Sequence, residues 1–199
     1  MTLYAPLVRF AASALFALGA ASALAQASAN NDPPAPPLPA EYTEEARRAY
    51  TQDLNEARKL LDAKRYDDAL AKLDALSQSR PREAQARFLK AVAQSDLGRS
   101  QDAAATLRAL VADFPELPEP RNNLAVLYAA QGNFSLARQE LELALAAAPD
   151  YAVAHENLGD VYTRLAAAEY ERAVALDKAN RTAPQKLKLA RELLAAAPR

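Results

Sequence analysis

The chain has 199 residues, 51% hydrophobic and 25% charged, which suits one ordinary folded domain and leaves no room for two large ones. Its 24 Lys and Arg balance 25 Asp and Glu, which argues against nucleic-acid binding and against electrostatic attachment to an anionic membrane. With no Cys and one His, the sequence excludes disulfides, thiolate metal sites and Cys nucleophiles, and it disfavours a zinc site. Ala makes up about a quarter of the chain and Gly occurs four times, so the composition favours helices.

Residues 1–25 have the order of a secretory signal peptide. Arg9 precedes an apolar run over 10–21, and small residues then end in an A-x-A motif at Ala25. We predict cleavage after Ala25, with 27–29 as a second choice, and an uncleaved anchor helix as the alternative. Cleavage removes one cation and no acid, which leaves a net charge of -2 and no further stretch long enough to span a bilayer. The expected location is therefore outside the cytoplasm, in the periplasm.

Residues 26–42 are rich in proline, with five of the thirteen prolines between 30 and 40. Each Pro lacks an amide hydrogen and restricts the residue before it, so this stretch cannot be helical. We predict a polyproline tether that acts as a spacer. A ligand for a proline-binding groove is the alternative.

The rest of the chain repeats with a period of 34 residues. Several columns of residues show this spacing: Pro81, Pro115 and Pro149; Ala69, Ala103 and Ala137; Leu73, Leu107 and Leu141; Ala57, Ala91, Ala125 and Gly159; Gly98 and Gly132. Each period contains two apolar-periodic stretches of helical length, with the recurring Pro at the end of the second. One helical hairpin cannot bury both its faces, so we expect the hairpins to stack.

The columns resemble the tetratricopeptide repeat family. The third repeat matches the family pattern best, through Leu124, Ala125, Tyr128, Gly132, Phe134, Ala137, Leu141, Ala144 and Pro149. This resemblance implies an all-α fold, a right-handed solenoid of three full helix-turn-helix repeats and one variant repeat. The repeat domain is expected over 43–178, with repeats at 50–83, 84–117, 118–151 and a variant at 152–178.

The variant repeat departs from the others after Tyr162, where the second-helix pattern returns five residues early. No Gly, Pro or Asn supplies a turn there, so we predict one continuous helix from Val153 to Asp177, with a kink at 166–168 as the alternative. Such a helix needs a further surface, either the final helix or a second copy of the chain. We therefore predict self-association in a homodimer through Tyr170, Ala173 and Val174.

Residues 179–199 complete the predicted architecture as a C-terminal cap. An apolar stripe predicts a helix from Thr182 to Ala197, and solenoids need an end cap with a polar outer side. This role requires no chemistry from the helix.

The resemblance also implies where a partner binds. Side chains of the first helices line the concave groove of the family, and a peptide or helix is the expected ligand. The positions carried over are Leu54, Asn55, Arg58, Phe88, Leu89, Val92, Asn122, Asn123, Val126, Glu156, Asn157, Asp160 and Arg164. Asn55, Asn123 and Asn157 share one repeat position, where an amide can bond a peptide backbone or, alternatively, bond locally between repeats.

No motif in the sequence predicts catalysis. His155 has no second His or Cys to accompany it, and the paired acids fit solvated helix faces. We expect no enzyme activity, no cofactor and no metal. The predicted function is an exported adaptor for a protein of the cell envelope, with a self-associating oligomerisation module as the alternative.

Overall fold

A computed structural model describes residues 43–196 of the chain. Over that range the fold consists of eight α-helices without a strand. They are α1 (Glu44–Asp62), α2 (Tyr66–Ser79), α3 (Ala84–Asp96), α4 (Ser100–Asp113), α5 (Pro118–Ala130), α6 (Phe134–Ala147), α7 (Ala152–Leu176) and α8 (Ala183–Ala196). The predicted signal peptide and tether lie outside the described residues.

Three helical hairpins follow one another at the predicted period. The second helices α2, α4 and α6 begin at Tyr66, Ser100 and Phe134, each 34 residues after the one before. Every helix from α1 to α8 packs against its neighbours in the sequence, as expected for a solenoid whose hairpins contact only adjacent hairpins. The expected all-α repeat fold is confirmed.

Helix α1 is longer than α3 and α5, the first helices of the other two full repeats, and begins before Tyr50, the expected start of the first repeat. The Thr43 hydroxyl caps this extension by accepting a hydrogen bond from the Ala46 amide at 3.2 Å. The guanidinium of Arg80 lies over the buried Tyr50 ring at 5.0 Å and donates to the Ala46 carbonyl at 2.6 Å. Burial raises the pKa of Tyr50 to about 12. The extension is thus fixed to the hairpin by the end of α2.

The turn inside each full hairpin places one residue in the left-handed region. Gly98 and Gly132 have φ of 75° and 79°, a conformation that glycine adopts without a steric cost. Lys64 holds the same place in the first hairpin with φ of 57°. A lysine meets a steric cost there that glycine avoids.

Replacing Lys64 by Gly is expected to stabilise the protein. The left-handed conformation costs a residue with a Cβ about 1 kcal/mol, partly offset by the greater freedom of glycine in the unfolded chain. We expect the free energy of unfolding to rise by about 0.5 kcal/mol, as measured by urea denaturation. As a control, Gly98→Ala should lower it; a Lys64→Gly variant less stable than the parent would contradict the argument.

Small residues form the contact between the two helices of each hairpin. Ala57, Ala91 and Ala125 on the first helices are 0% exposed, as are Ala69, Ala103 and Ala137 on the second helices. The second helices add Leu73, Leu107 and Leu141, also 0% exposed. Alanine lets the helix axes approach closely, and leucine fills the space between hairpins. This explains why these columns recur in the sequence.

The variant repeat forms one uninterrupted helix. Helix α7 runs over 25 residues from Ala152 to Leu176, which confirms the predicted continuous helix and not the kinked alternative. Its first half packs on α5 and α6 through Ala154 and Val161, which join the core cluster around Leu141. The second half extends past this contact.

Helix α8 turns back along the second half of α7. The Asn180 side chain accepts hydrogen bonds from the Thr182 and Ala183 amides at 3.0 and 2.9 Å, which organises the loop before α8. Arg191 pairs with Glu171 at 2.8 Å, and Lys186 lies 5.8 Å from the centre of the Tyr170 ring. Of the two alternatives for the surface that the second half of α7 needs, the structure shows the final helix.

Candidate protein-binding surface

The first helices of the repeats lie beside one another, with α1 against α3 and α5 against α7. They carry all thirteen residues that the family resemblance assigns to the groove. Eight of these are buried: Leu54, Phe88, Leu89, Val92, Asn122, Asn123, Val126 and Asn157. Asn55, Arg58 and Glu156 are exposed, and Asp160 and Arg164 are partly exposed. The eight buried residues therefore lie beneath the surface of the first helices. The predicted groove residues that stay accessible are all polar.

The buried apolar members belong to the core. Leu54 and Leu89 join the cluster between the first two repeats, and Phe88 and Val92 join the cluster between the second and third repeats. In this chain the side chains at these repeat positions pack in the core clusters and not at the surface of the groove. Their role as apolar anchors for a ligand stays a prediction.

Three buried asparagines form a chain of amide hydrogen bonds between α5 and α7. Asn157 Nδ2 donates to Asn122 Oδ1 at 2.7 Å, and Asn122 Nδ2 donates to Asn123 Oδ1 at 3.2 Å. Buried amides need such partners because an unmade hydrogen bond away from water costs free energy. The sequence leaves two partners open for Asn55, Asn123 and Asn157: the backbone of a ligand or a neighbouring repeat. For Asn157 the structure shows the bond to a neighbouring repeat.

The accessible predicted residues lie at the two ends of the row of first helices. On α1, Arg58 donates to Asn55 Oδ1 at 3.2 Å, beside an open depression along the same helix. On α7, the Arg164 guanidinium lies 5.8 Å from the centre of the Phe134 ring. The depression on α1 is lined by Glu44, Arg47, Arg48, Thr51, Gln52, Asn55, Glu56 and Lys59. Both ends offer charged and amide groups to a ligand.

Two residues of this region escape the sequence-based prediction. Glu119 on α5 is half-buried, and its Oε2 lies inside without a hydrogen bond among the described residues. Tyr151 lies just before α7, and its hydroxyl is also buried without a hydrogen bond among the described residues. Burial raises the pKa of Glu119; burial and then the nearby Glu119 charge raise the pKa of Tyr151. Glu119 occupies the second repeat position, which the family groove includes, so the repeat register could have identified it.

Replacing Glu119 by Gln is expected to reduce the pH dependence of stability. The folded-state pKa of Glu119 lies above its unfolded value of 4.5, so the folded protein binds the proton more tightly. Stability from this group is therefore lost as pH rises through the folded-state pKa. Glu119→Gln should gain stability over the parent at pH 7 and lose that gain near pH 4.5, as measured by urea denaturation at both values. An equal difference at both values would contradict the effect of burial.

No group of side chains suited to hold a metal ion occurs among residues 43–196. His155 Nε2 donates to the Pro149 carbonyl at 2.9 Å, next to the start of α7. Within the same range, no helix is both long and apolar enough to cross a membrane. The arrangement offers polar and charged contacts to a polypeptide.

Two family models, both described as tetratricopeptide repeat, match residues 54–118 and 97–161. Together these matches cover residues 54–161, from the middle of α1 to the first half of α7. Among curated proteins, none matches this sequence.

Solved structures of repeat proteins share the fold. A thermophilic TPR protein of Thermus thermophilus is 24% identical, with a TM-score of 0.53, over 71% of this chain and 80% of that chain. The MamA protein is 21% identical, with a TM-score of 0.54, over 72% of this chain and 81% of that chain. A chain of the Naa15/Naa10 complex bound to HypK-THB is 15% identical, with a TM-score of 0.52, over 73% of this chain and 23% of that chain.

Proposed function

Because the chain belongs to the tetratricopeptide repeat family, we propose that it is a scaffold that holds a peptide or helix of a cell-envelope protein in its concave groove. Proteins of this family are in general scaffolds for protein–protein interaction, and their fold is in general not that of an enzyme. The observation that carries the proposal is the packing of first helix on first helix, α1 on α3 and α5 on α7; in a solenoid, first helices arranged in this way form an extended surface.

The polar ends of that row support a ligand with charged or amide groups. Arg58 and Asn55 mark one end, and Asp160 and Arg164 mark the other. An extended peptide would bond to these groups. The buried predicted residues would then act by holding the first helices in place.

The sequence of residues 1–25 supports export to the periplasm. Cleavage after Ala25 would leave the proline-rich stretch as a spacer before the repeats. An envelope partner fits this location because both proteins would meet in one compartment. N-terminal sequencing of the protein from cell fractions tests the proposal; an unprocessed cytoplasmic chain would contradict it.

Crosslinking in the producing cell tests the groove directly. A photoreactive residue at position 55 is expected to capture a specific partner, which mass spectrometry identifies. The purified partner should then bind the double variant Arg58→Ala, Arg164→Ala at least about tenfold more weakly than the parent. Arg108→Ala is the matched control, because Arg108 is exposed on α4, a second helix. Equal affinity of parent and double variant would contradict the proposed surface.

Self-association through Tyr170, Ala173 and Val174 is a second proposal. These residues stay partly exposed although α8 packs beside them. Val174 lies beside Leu187 of α8, so Tyr170 and Ala173 offer most of the apolar surface that a second copy of the chain would bury.

A further inference from the structure

The first half of α7 carries a first-helix face with no second helix against it. In the full repeats, the equivalent small residues Ala57, Ala91 and Ala125 are 0% exposed, because the second helix of the hairpin covers them. Gly159 holds this position in α7 and is exposed, and a Cβ built on it meets no atom within 4 Å. The surface that should receive a second helix is therefore open.

The second half of α7 carries a second-helix face with no first helix against it. Allowing for the five missing residues, Ala166 and Tyr170 correspond to Ala137 and Leu141 of the third repeat. Ala137 and Leu141 are 0% exposed, whereas Ala166 and Tyr170 are partly exposed. This half has the sequence of a second helix and lacks its first helix.

Both open faces lie on one side of α7. The residues concerned are three or four positions apart, as on one face of a helix: His155, Gly159, Tyr162, Ala166, Tyr170 and Ala173. Two of them have contacts at the edges of this face: the Tyr162 hydroxyl donates to Glu142 at 3.1 Å, and Lys186 lies 5.8 Å from the centre of the Tyr170 ring. Ala154 and Val161 mark the side that packs on α5 and α6. Glu171 and Val174 mark the side where α8 lies. A straight helix cannot pack its own two halves together, so the described part of the chain leaves this side exposed or partly exposed.

We propose that α7 pairs with α7 of a second copy of this chain, antiparallel and about a two-fold axis near Tyr162. In this pairing the second half of each α7 covers the first half of the other, with Ala166 of the second copy over Gly159. The two helices of a full hairpin are likewise antiparallel, and they meet through Ala125 and Ala137. Each copy thus restores the fourth hairpin of the other.

The polar pairs of the full hairpins support a second copy as the occupant. In the first repeat Lys72 pairs with Asp53 at 3.0 Å, and in the third repeat Arg121 pairs with Glu140 at 3.1 Å. These pairs join the fourth and twenty-third positions of their repeats. In the proposed dimer the same two positions are His155 and Glu169 of the second copy, an imidazole and a carboxylate that can share a hydrogen bond, while Glu169 also pairs with Arg172 of its own helix at 2.7 Å. The two-fold axis makes this pair twice.

This dimer goes beyond the groove function and does not depend on it. The open side of α7 is distinct from Asn55 and Arg58 on α1. A variant that loses the dimer can therefore keep its affinity for a groove partner, and the two failures are distinguishable.

Sedimentation velocity of the full chain at 1–100 µM tests the pairing. We expect a concentration-dependent dimer, and we expect Gly159→Arg to weaken it at least about 100-fold, because each dimer holds two such contacts. Gly159 is exposed in the single chain, so this variant should keep the parent circular dichroism, and it should keep the parent melting temperature at concentrations where both are monomeric. Gly159→Ala is the control and should still dimerise, since alanine fills this position in the other repeats. A monomer at 100 µM, or a Gly159→Arg dimer of parent strength, would overturn the proposal.

Disulfide crosslinking between two copies of the chain provides a second test, which does not depend on weakening the dimer. The chain has no Cys, so Tyr162→Cys introduces a single thiol next to the proposed axis. Mild oxidation is expected to yield a covalent dimer. Ser135→Cys, exposed on α6, is the control and should stay monomeric under the same oxidation. Equal yields of covalent dimer from the two variants would contradict the antiparallel geometry.

Discussion

Replacing Leu107 by Ala is expected to lower the free energy of unfolding by about 3 kcal/mol. Leu107 on α4 is 0% exposed and packs in one cluster with Phe88, Leu110 and Leu124. Truncation removes apolar contacts and leaves a cavity between two repeats, which the helices cannot fill without moving. Because each repeat is stabilised by its neighbours, the loss weakens the contact between the second and third hairpins.

Urea denaturation followed by circular dichroism measures this effect. The matched control is Leu193→Ala on α8, where the leucine is 61% exposed and its truncation should cost less than about 0.5 kcal/mol. If both variants lost the same stability, burial in the solenoid core would not explain the repeated leucine column.

Replacing Asn122 by Ala is expected to cost about 2 kcal/mol. The change removes both an acceptor of Asn157 and a donor to Asn123, and all three side chains are buried. A buried amide group that loses its hydrogen bond cannot form a replacement bond with water. Losing a buried hydrogen bond therefore costs more free energy than losing an exposed one. The amide chain spans α5 and α7, so its loss should also loosen α7.

Thermal unfolding and amide hydrogen exchange measure the two consequences. Asn55→Ala is the matched control, because Asn55 is an exposed asparagine at the repeat position of Asn123. It should leave the melting temperature nearly unchanged. Faster exchange in α7 is expected for Asn122→Ala alone, and unchanged exchange there would contradict a linking role for the amide chain.

Most of the fold could be predicted because the same packing contacts recur at fixed repeat positions. Ala91 and Ala103 recur every 34 residues since close helix packing tolerates little else. The absence of Gly, Pro and Asn after Tyr162 predicted the uninterrupted α7. The Lys64 turn could not be predicted from composition, because its left-handed backbone is imposed by the hairpin and not by the lysine.

The binding surface was less predictable than the fold. A repeat position specifies a helix face, but the reach of a side chain decides whether it enters the groove or the core. Phe88 and Asn123 occupy groove positions in the repeat register and are buried in the structure. The pairing of Asn157 with Asn122 depends on two residues 35 positions apart, and only the stacked helices bring them together.

The uninterrupted α7 also limits how this protein can grow during evolution. Gene duplication lengthens an array most simply by inserting a unit between similar units, and residues 50–151 offer such units. A unit appended after Leu176 would follow a helix that has lost the bend each hairpin requires. Relatives with more hairpins should therefore carry the extra ones before α7 and end with the same straight helix.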